Sequence, residues 1–259
     1  MEPLAEIFAL AEAYILTAAG VFARTAAMVF LLPGFGERAI PGRVKLGAAL
    51  AITVLLAPLL VPLRPETPSS LPSLALMLAA EAVAGLTIGL GFRLLIMALQ
   101  ITGTAAAYHL SLSHVFGTPV NDGPEPTLAT FLALGGVVVA MAAGLHIEVV
   151  AALARLYEPL PFGRFPDPAD LAELSVERAG AIFALGIGLA LPFIIISFLY
   201  NLALGALSRA MPQLMVVLIG VPLLISLGLF TLYVALPAIF DRWLAALANL
   251  FADPLGALD

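Results

Sequence analysis

From Ala179 to Ser208, and again from Ala210 to Phe240, the chain runs about 30 residues without Asp, Glu, Lys or Arg. As straight helix each stretch would measure roughly 45 Å, against roughly 30 Å for the hydrocarbon core of a bilayer. Neither suits a soluble core, and neither is a simple span. Both carry internal prolines, Pro192 in the first and Pro212, Pro222 and Pro237 in the second. Proline in a helix interior removes a backbone hydrogen bond and bends the rod, so kinked helices and hairpins are expected, with helix bends at Pro192, Pro212 and Pro222. Backbone freed in this way must be satisfied by neighbouring protein or by water, so much of this surface is expected to face other protein.

Other apolar segments cover roughly Ile7 to Leu32, Leu46 to Leu63, Leu71 to Ile101 and Thr127 to Leu156. The fold class that follows is all-α and membrane-associated, with about six long apolar helices, a non-standard membrane topology and a single domain over residues 1–259. Hydrophobic residues make up 62% of the chain and charged residues 11%, less than half of the roughly 25% usual in soluble domains. The start, MEPLAEIF, is acidic and lacks the positive region and small-residue cleavage site of a secretory signal, so the first helix is expected to be retained. With no cysteine there is no disulfide or thiolate chemistry, and a net charge of -6 with one lysine argues against nucleic acid. Arg38, Arg43 and Lys45 would place the first loop in the cytoplasm and the acidic, proline-rich segment from Tyr157 to Arg178 outside, if the helices cross the bilayer.

Glu12, Arg24, Glu81, Arg93, His146, Glu148 and Arg209 lie within apolar segments. Each is costly in lipid and needs a partner or a wet cavity. Glu81 and Arg93 stand too far apart on one helix to pair, so each must find its partner elsewhere. For Arg24 and Arg209 two readings stay open, a structural ion pair or carbonyl clamp, and a contact that orders an assembly. Gly85 and Gly89 form a small-xxx-small pair that admits another backbone, from this chain or from another subunit.

A relay through Glu12, Glu81 and Glu148 has no shared spacing to put them on one face. His109 and His114, five apart, diverge on a helix, and no acidic residue stands at ligand spacing, so no metal site is expected. Ser113 beside His114 lacks an orienting third group, and no phosphate-cradling glycine loop occurs. No catalytic residue or cofactor is expected. Tyr108 to Thr127 combines dense turn formers with Leu110, Leu112, Val115 and Phe116; an apolar loop at membrane depth must be buried in protein or line a cavity.

Three blocks resemble a known family. In ALGALSRAMPQLMVVLIGVPLLISLGLFTL the marks are Arg209, Pro212, Gln213, Gly220, Pro222 and Gly228, with Asn201 just before; in FARTAAMVFLLPGFGERAIPGRVKLGAAL they are Arg24, Pro33, Ile40, Pro41, Arg43 and Lys45; in EAVAGLTIGLGF they are Glu81, Gly85 and Gly89. The chain thereby resembles the FliR/SctT family of the type III secretion export gate. The resemblance implies a subunit of kinked helical hairpins, a fusion of two partner folds, that joins P-type and Q-type subunits, and the B-type switch subunit, in a closed channel for unfolded exported proteins. It implies membrane lipid around the assembly and a place in the bacterial inner (cytoplasmic) membrane at the flagellar basal body. It also implies that Leu112, Val115 and Phe116 plug the closed pore, and that Arg24, Glu81, Arg209 and Gln213 serve assembly as buried charge and polar contacts. The competing expectations are a secondary transporter, for which no convincing pair of internal repeats is present, and a membrane scaffold without a conduit.

Overall fold

The computed structural model describes residues 2–36, 40–63, 67–110, 126–210 and 216–256, and among them every regular element is a helix. The elements are α1 (Glu2–Leu31), α2 (Gly42–Leu60) with a 3-10 turn at Val61–Leu63, α3 (Leu71–His109), α4 (Thr127–Ala142), α5 (Leu145–Arg155), α6 (Pro168–Ala210) and α7 (Val216–Ala252). Five are long and apolar enough to cross a membrane, and six spans result if the bent pair α4 and α5 is taken as one.

Local chemistry sets the helix starts. Ser70 and Ser73 cap α3 reciprocally: the Ser70 amide donates to Ser73 Oγ at 3.1 Å, and the Ser73 amide donates to Ser70 Oγ at 3.4 Å. Asp167 accepts the Ala169 amide at 2.8 Å ahead of α6, whose first residue, Pro168, loses nothing by lacking an N–H there. Inside the apolar helices hydroxyls turn back on their own backbone. Thr17 donates to the Ala13 carbonyl at 2.8 Å and Thr53 to Ala49 at 2.7 Å, which leaves these side chains no polar demand on lipid.

The long helices are unbroken. α6 has 43 residues and runs through Pro192, while α7 has 37 and runs through Pro222 and Pro237. At 1.5 Å per residue they would be about 65 and 56 Å long, so the excess over a bilayer expected from the sequence is present. Their prolines do not end them. A loss of one amide is tolerated where the flanking turns stay bonded. A break comes instead at Gly144, where the backbone takes φ 91°, a left-handed conformation, and α4 and α5 bend by 75°.

The chain divides into two compact units. The first comprises Met1–Arg93, Met141–Arg178 and Ala248–Asp259, and the second Leu94–Ala140 and Ala179–Leu247. Within the second unit, close backbone approach replaces bulk. A Cβ at Gly103 would lie 2.5 Å from Ala129 Cα, and one at Gly186 would lie 3.0 Å from the Ala98 carbonyl oxygen. Thr102 donates to the Gly186 carbonyl at 3.0 Å, and the buried Trp243 indole donates to the Leu95 carbonyl at 2.8 Å. α6 and α7 meet where Gly220 lies against the Tyr200 hydroxyl and the Leu204 side chain.

Candidate functional site

The polar centre of the first unit is built on α1 and α3. Gly85 and Gly89 let these helices touch: Gly85 lies against the Arg24 backbone, and a Cβ at Gly89 would come within 3.0 Å of the Met28 carbonyl oxygen. The small-residue pair therefore serves a contact inside this chain. Contact that close brings Arg24 of α1 beside Glu81 of α3, both fully buried, and Arg24 Nε donates to Glu81 Oε2 at 2.9 Å.

Taking two charges out of water costs several kcal/mol per ion unless further hydrogen bonds satisfy them. Residues 156–163, a strap between α5 and α6, supply those bonds. Pro159 and Pro161 keep the strap from continuing as helix; its first amides make turn bonds, Glu158 to Arg155 and Leu160 to Leu156, while the Leu160 carbonyl and the Gly163 amide are left for the charge pair. Each need meets the other. Arg24 Nη2 donates to the Leu160 carbonyl at 2.8 Å, and the Gly163 amide donates to Glu81 Oε1 at 2.9 Å. The guanidinium lies over the Tyr157 ring at 3.8 Å, and Tyr157 packs on Phe162 at 4.3 Å between centroids. Phe162 in turn covers Gly20, where a Cβ would meet the ring at 3.1 Å.

Among the described residues, the buried Arg24 Nη1, Thr25 Oγ1 and Tyr157 Oη make no hydrogen bond of normal geometry. Burial pushes the Tyr157 phenol above its usual range; the Arg24 charge opposes this and Glu81 reinforces it. The hydroxyl interacts electrostatically with Glu81 yet makes no hydrogen bond of normal geometry.

A second polar contact secures the chain's end. The buried Arg178 of α6 donates through Nη2 to the Pro254 carbonyl and, at 3.3 Å, to the Gly256 carbonyl, while Arg155 Nη2 donates to the Phe251 carbonyl at 3.3 Å. The carbonyls past the last turn of a helix have no partner in the helix, and these two cations provide one.

The sequence-derived candidates separate on this frame. Arg24 and Glu81 meet. Arg209 stands exposed in the last turn of α6, and Pro192 and Pro222 are exposed within α6 and α7. Gln213 and Pro212 lie outside the described residues, as do Leu112, Val115 and Phe116. Glu12 and Glu148 are exposed while Glu81 is sealed in its ion pair, an arrangement without the shared wet path that a relay needs. Sequence reasoning missed the strap and the two clamping arginines. The signal available was PLPFG, a proline-spaced aromatic segment too apolar for an ordinary acidic surface loop.

The residues that build these contacts fall almost wholly within one family match: the model for bacterial export proteins, family 1, covers residues 15–250. The chain belongs to that family. Similar curated proteins carry one name, flagellar biosynthetic protein FliR. That of Caulobacter vibrioides is 37% identical over 227 residues, which is 87% of this chain and 90% of the relative. The Pectobacterium carotovorum protein is 34% identical over 242 residues, 92% of each chain. The Escherichia coli K12 protein is 31% identical over 242 residues, 91% of each chain. The match takes in Arg24, Glu81, the strap and Arg178.

Proposed function

We propose that this chain is a subunit of the flagellar type III protein export gate and acts without catalysis, as part of a closed conduit for unfolded proteins in the inner membrane. Family membership and the name shared by its relatives support this reading. The structural observation that carries it is the outer face of α6. Phe183, Ile187, Leu191, Ile195, Phe198 and Leu202 follow one another at three- and four-residue spacing, and all are exposed. They lie on a charge-free stretch roughly 45 Å long, against about 30 Å of hydrocarbon. Lipid covers part of such a face, and neighbouring subunits, P-type and Q-type with the B-type switch subunit, cover the rest.

The gate is passive in this reading. Partners supply the driving energy, and Leu112, Val115 and Phe116 close the channel by excluding water, which a hydrophobic constriction does without fixed charge. Ser197 supports that placement. Its hydroxyl donates to the carbonyl of His109 at 2.7 Å and accepts from Asn201 Nδ2 at 3.3 Å, which fixes the point where the chain leaves α3 toward those residues. Native mass spectrometry of the chain co-expressed with P-type and Q-type subunits in mild detergent tests the assignment. A discrete complex with one copy of this chain is expected; a monomer or homo-oligomer that ignores those partners would refute it.

A further inference from the structure

The strap and its charge pair form a device whose parts all belong to one chain. We infer that Arg24 and Glu81 act as a latch that closes residues 156–163 over α1 and α3, as positioning residues for the strap rather than as contacts to another subunit. Four observations carry this. First, the two partners of the ion pair hold one short segment at two points three residues apart, Arg24 at the Leu160 carbonyl and Glu81 at the Gly163 amide. Second, the backbone bonds of that segment are local turns onto α5 and within itself, Glu158 to Arg155 and Leu160 to Leu156, and Pro159 and Pro161 add no amide, so these bonds tie it to α5 and not to α1 or α3. Third, its aromatic rings sit on prepared surfaces, Tyr157 against the guanidinium and Phe162 over the side-chain-free Gly20.

The fourth is what makes it a latch and not a rivet. Among the described residues Arg24 Nη1 and Thr25 Oγ1 are buried without hydrogen-bond partners, and the Tyr157 hydroxyl has only a poorly aligned interaction with Glu81. A fully satisfied buried network rigidifies, whereas a partly satisfied one gives up much of its advantage over the open form. The closed strap is thus joined to α1 and α3 through one charge pair whose network keeps unsatisfied groups, the balance expected of an element that opens locally while the helices around it stay folded. This holds whether or not the export-gate reading is right.

Hydrogen exchange read by mass spectrometry on the full chain in detergent micelles tests it, comparing peptides from the strap with peptides from α1 and α3. Glu81→Ala should speed exchange in the strap by about tenfold while α1 and α3 keep their protection. Glu81→Gln retains an acceptor for the Gly163 amide and should give a smaller rise. Unchanged strap exchange in Glu81→Ala overturns the latch. So does a joint loss of protection across strap, α1 and α3, which would make the pair a support of the whole unit. Should Glu81→Ala fail to fold, Gly20→Ala presses Phe162 while making only ordinary van der Waals contact with Glu81 Cγ at 3.7 Å, and should raise strap exchange alone, by about threefold; no change there also overturns the latch.

Discussion

At the residue scale, two glycines separate packing from propensity. Gly85 has the Arg24 backbone where its side chain would be, whereas Gly205 of α6 has nothing within 4 Å of a built Cβ. Alanine at position 85 forces α1 and α3 apart and stretches the Arg24–Glu81 contact, at about 1–3 kcal/mol for an overpacked interface. Alanine at position 205 gains about 0.5–1 kcal/mol of helix preference with no clash. Unfolding of the two variants in mixed micelles should therefore shift in opposite directions; equal shifts would count against a tight α1–α3 contact. The sequence shows that Gly85 and Gly89 admit a backbone but not whose, because small-residue spacing carries no address. Charge is more legible. Arg24 and Glu81 are conspicuous as ionisable groups in apolar surroundings, but their pairing across 57 positions follows from the helix packing and not from any local pattern.

At the scale of elements, the length of α6 and α7 is readable from charge-free runs, since nothing but helix or barrel satisfies so much backbone in apolar surroundings. Where helices break is less readable. Proline draws the eye at 192 and 222, where both helices continue, whereas a break with a 75° bend falls at Gly144, in a segment with no proline nearby. The left-handed backbone there is open to test because a Cβ would touch nothing within 4 Å, so only conformation changes on substitution. Gly144→Val should destabilise the chain by about 1–2 kcal/mol, and Gly144→Asn by less, since asparagine tolerates that conformation. Equal unfolding midpoints for the two variants would mean that the bend does not depend on positive φ. The strap escaped the sequence reading for a related reason. Periodicity finds helices and strands, and a segment whose backbone is bonded by distant side chains has no period to find.

At the scale of the molecule, the exposed apolar face of α6 and the pinned carbonyl of His109 concern what surrounds the chain. If the segment after α3 seals a channel, deletion of His109 to Thr118 should raise ion conductance through the assembled gate in planar bilayers while leaving its subunit composition intact. Unchanged conductance in an intact complex would remove Leu112, Val115 and Phe116 from that role. Composition alone already separates this chain from soluble proteins, and the resemblance carried by Arg209, Pro212 and Gln213 is answered by a family match over residues 15–250.

The pairing of Arg24 with Glu81 has a bearing on recognition. A guanidinium and a carboxylate that neutralise each other inside one chain offer a neighbour no field to steer by, and with both fully buried, dissolved ions cannot reach them to screen the pair. The pair therefore lends no salt dependence to whatever docks over this part of the first unit, and any that is found there belongs to the exposed Arg155, Glu158 and Arg164.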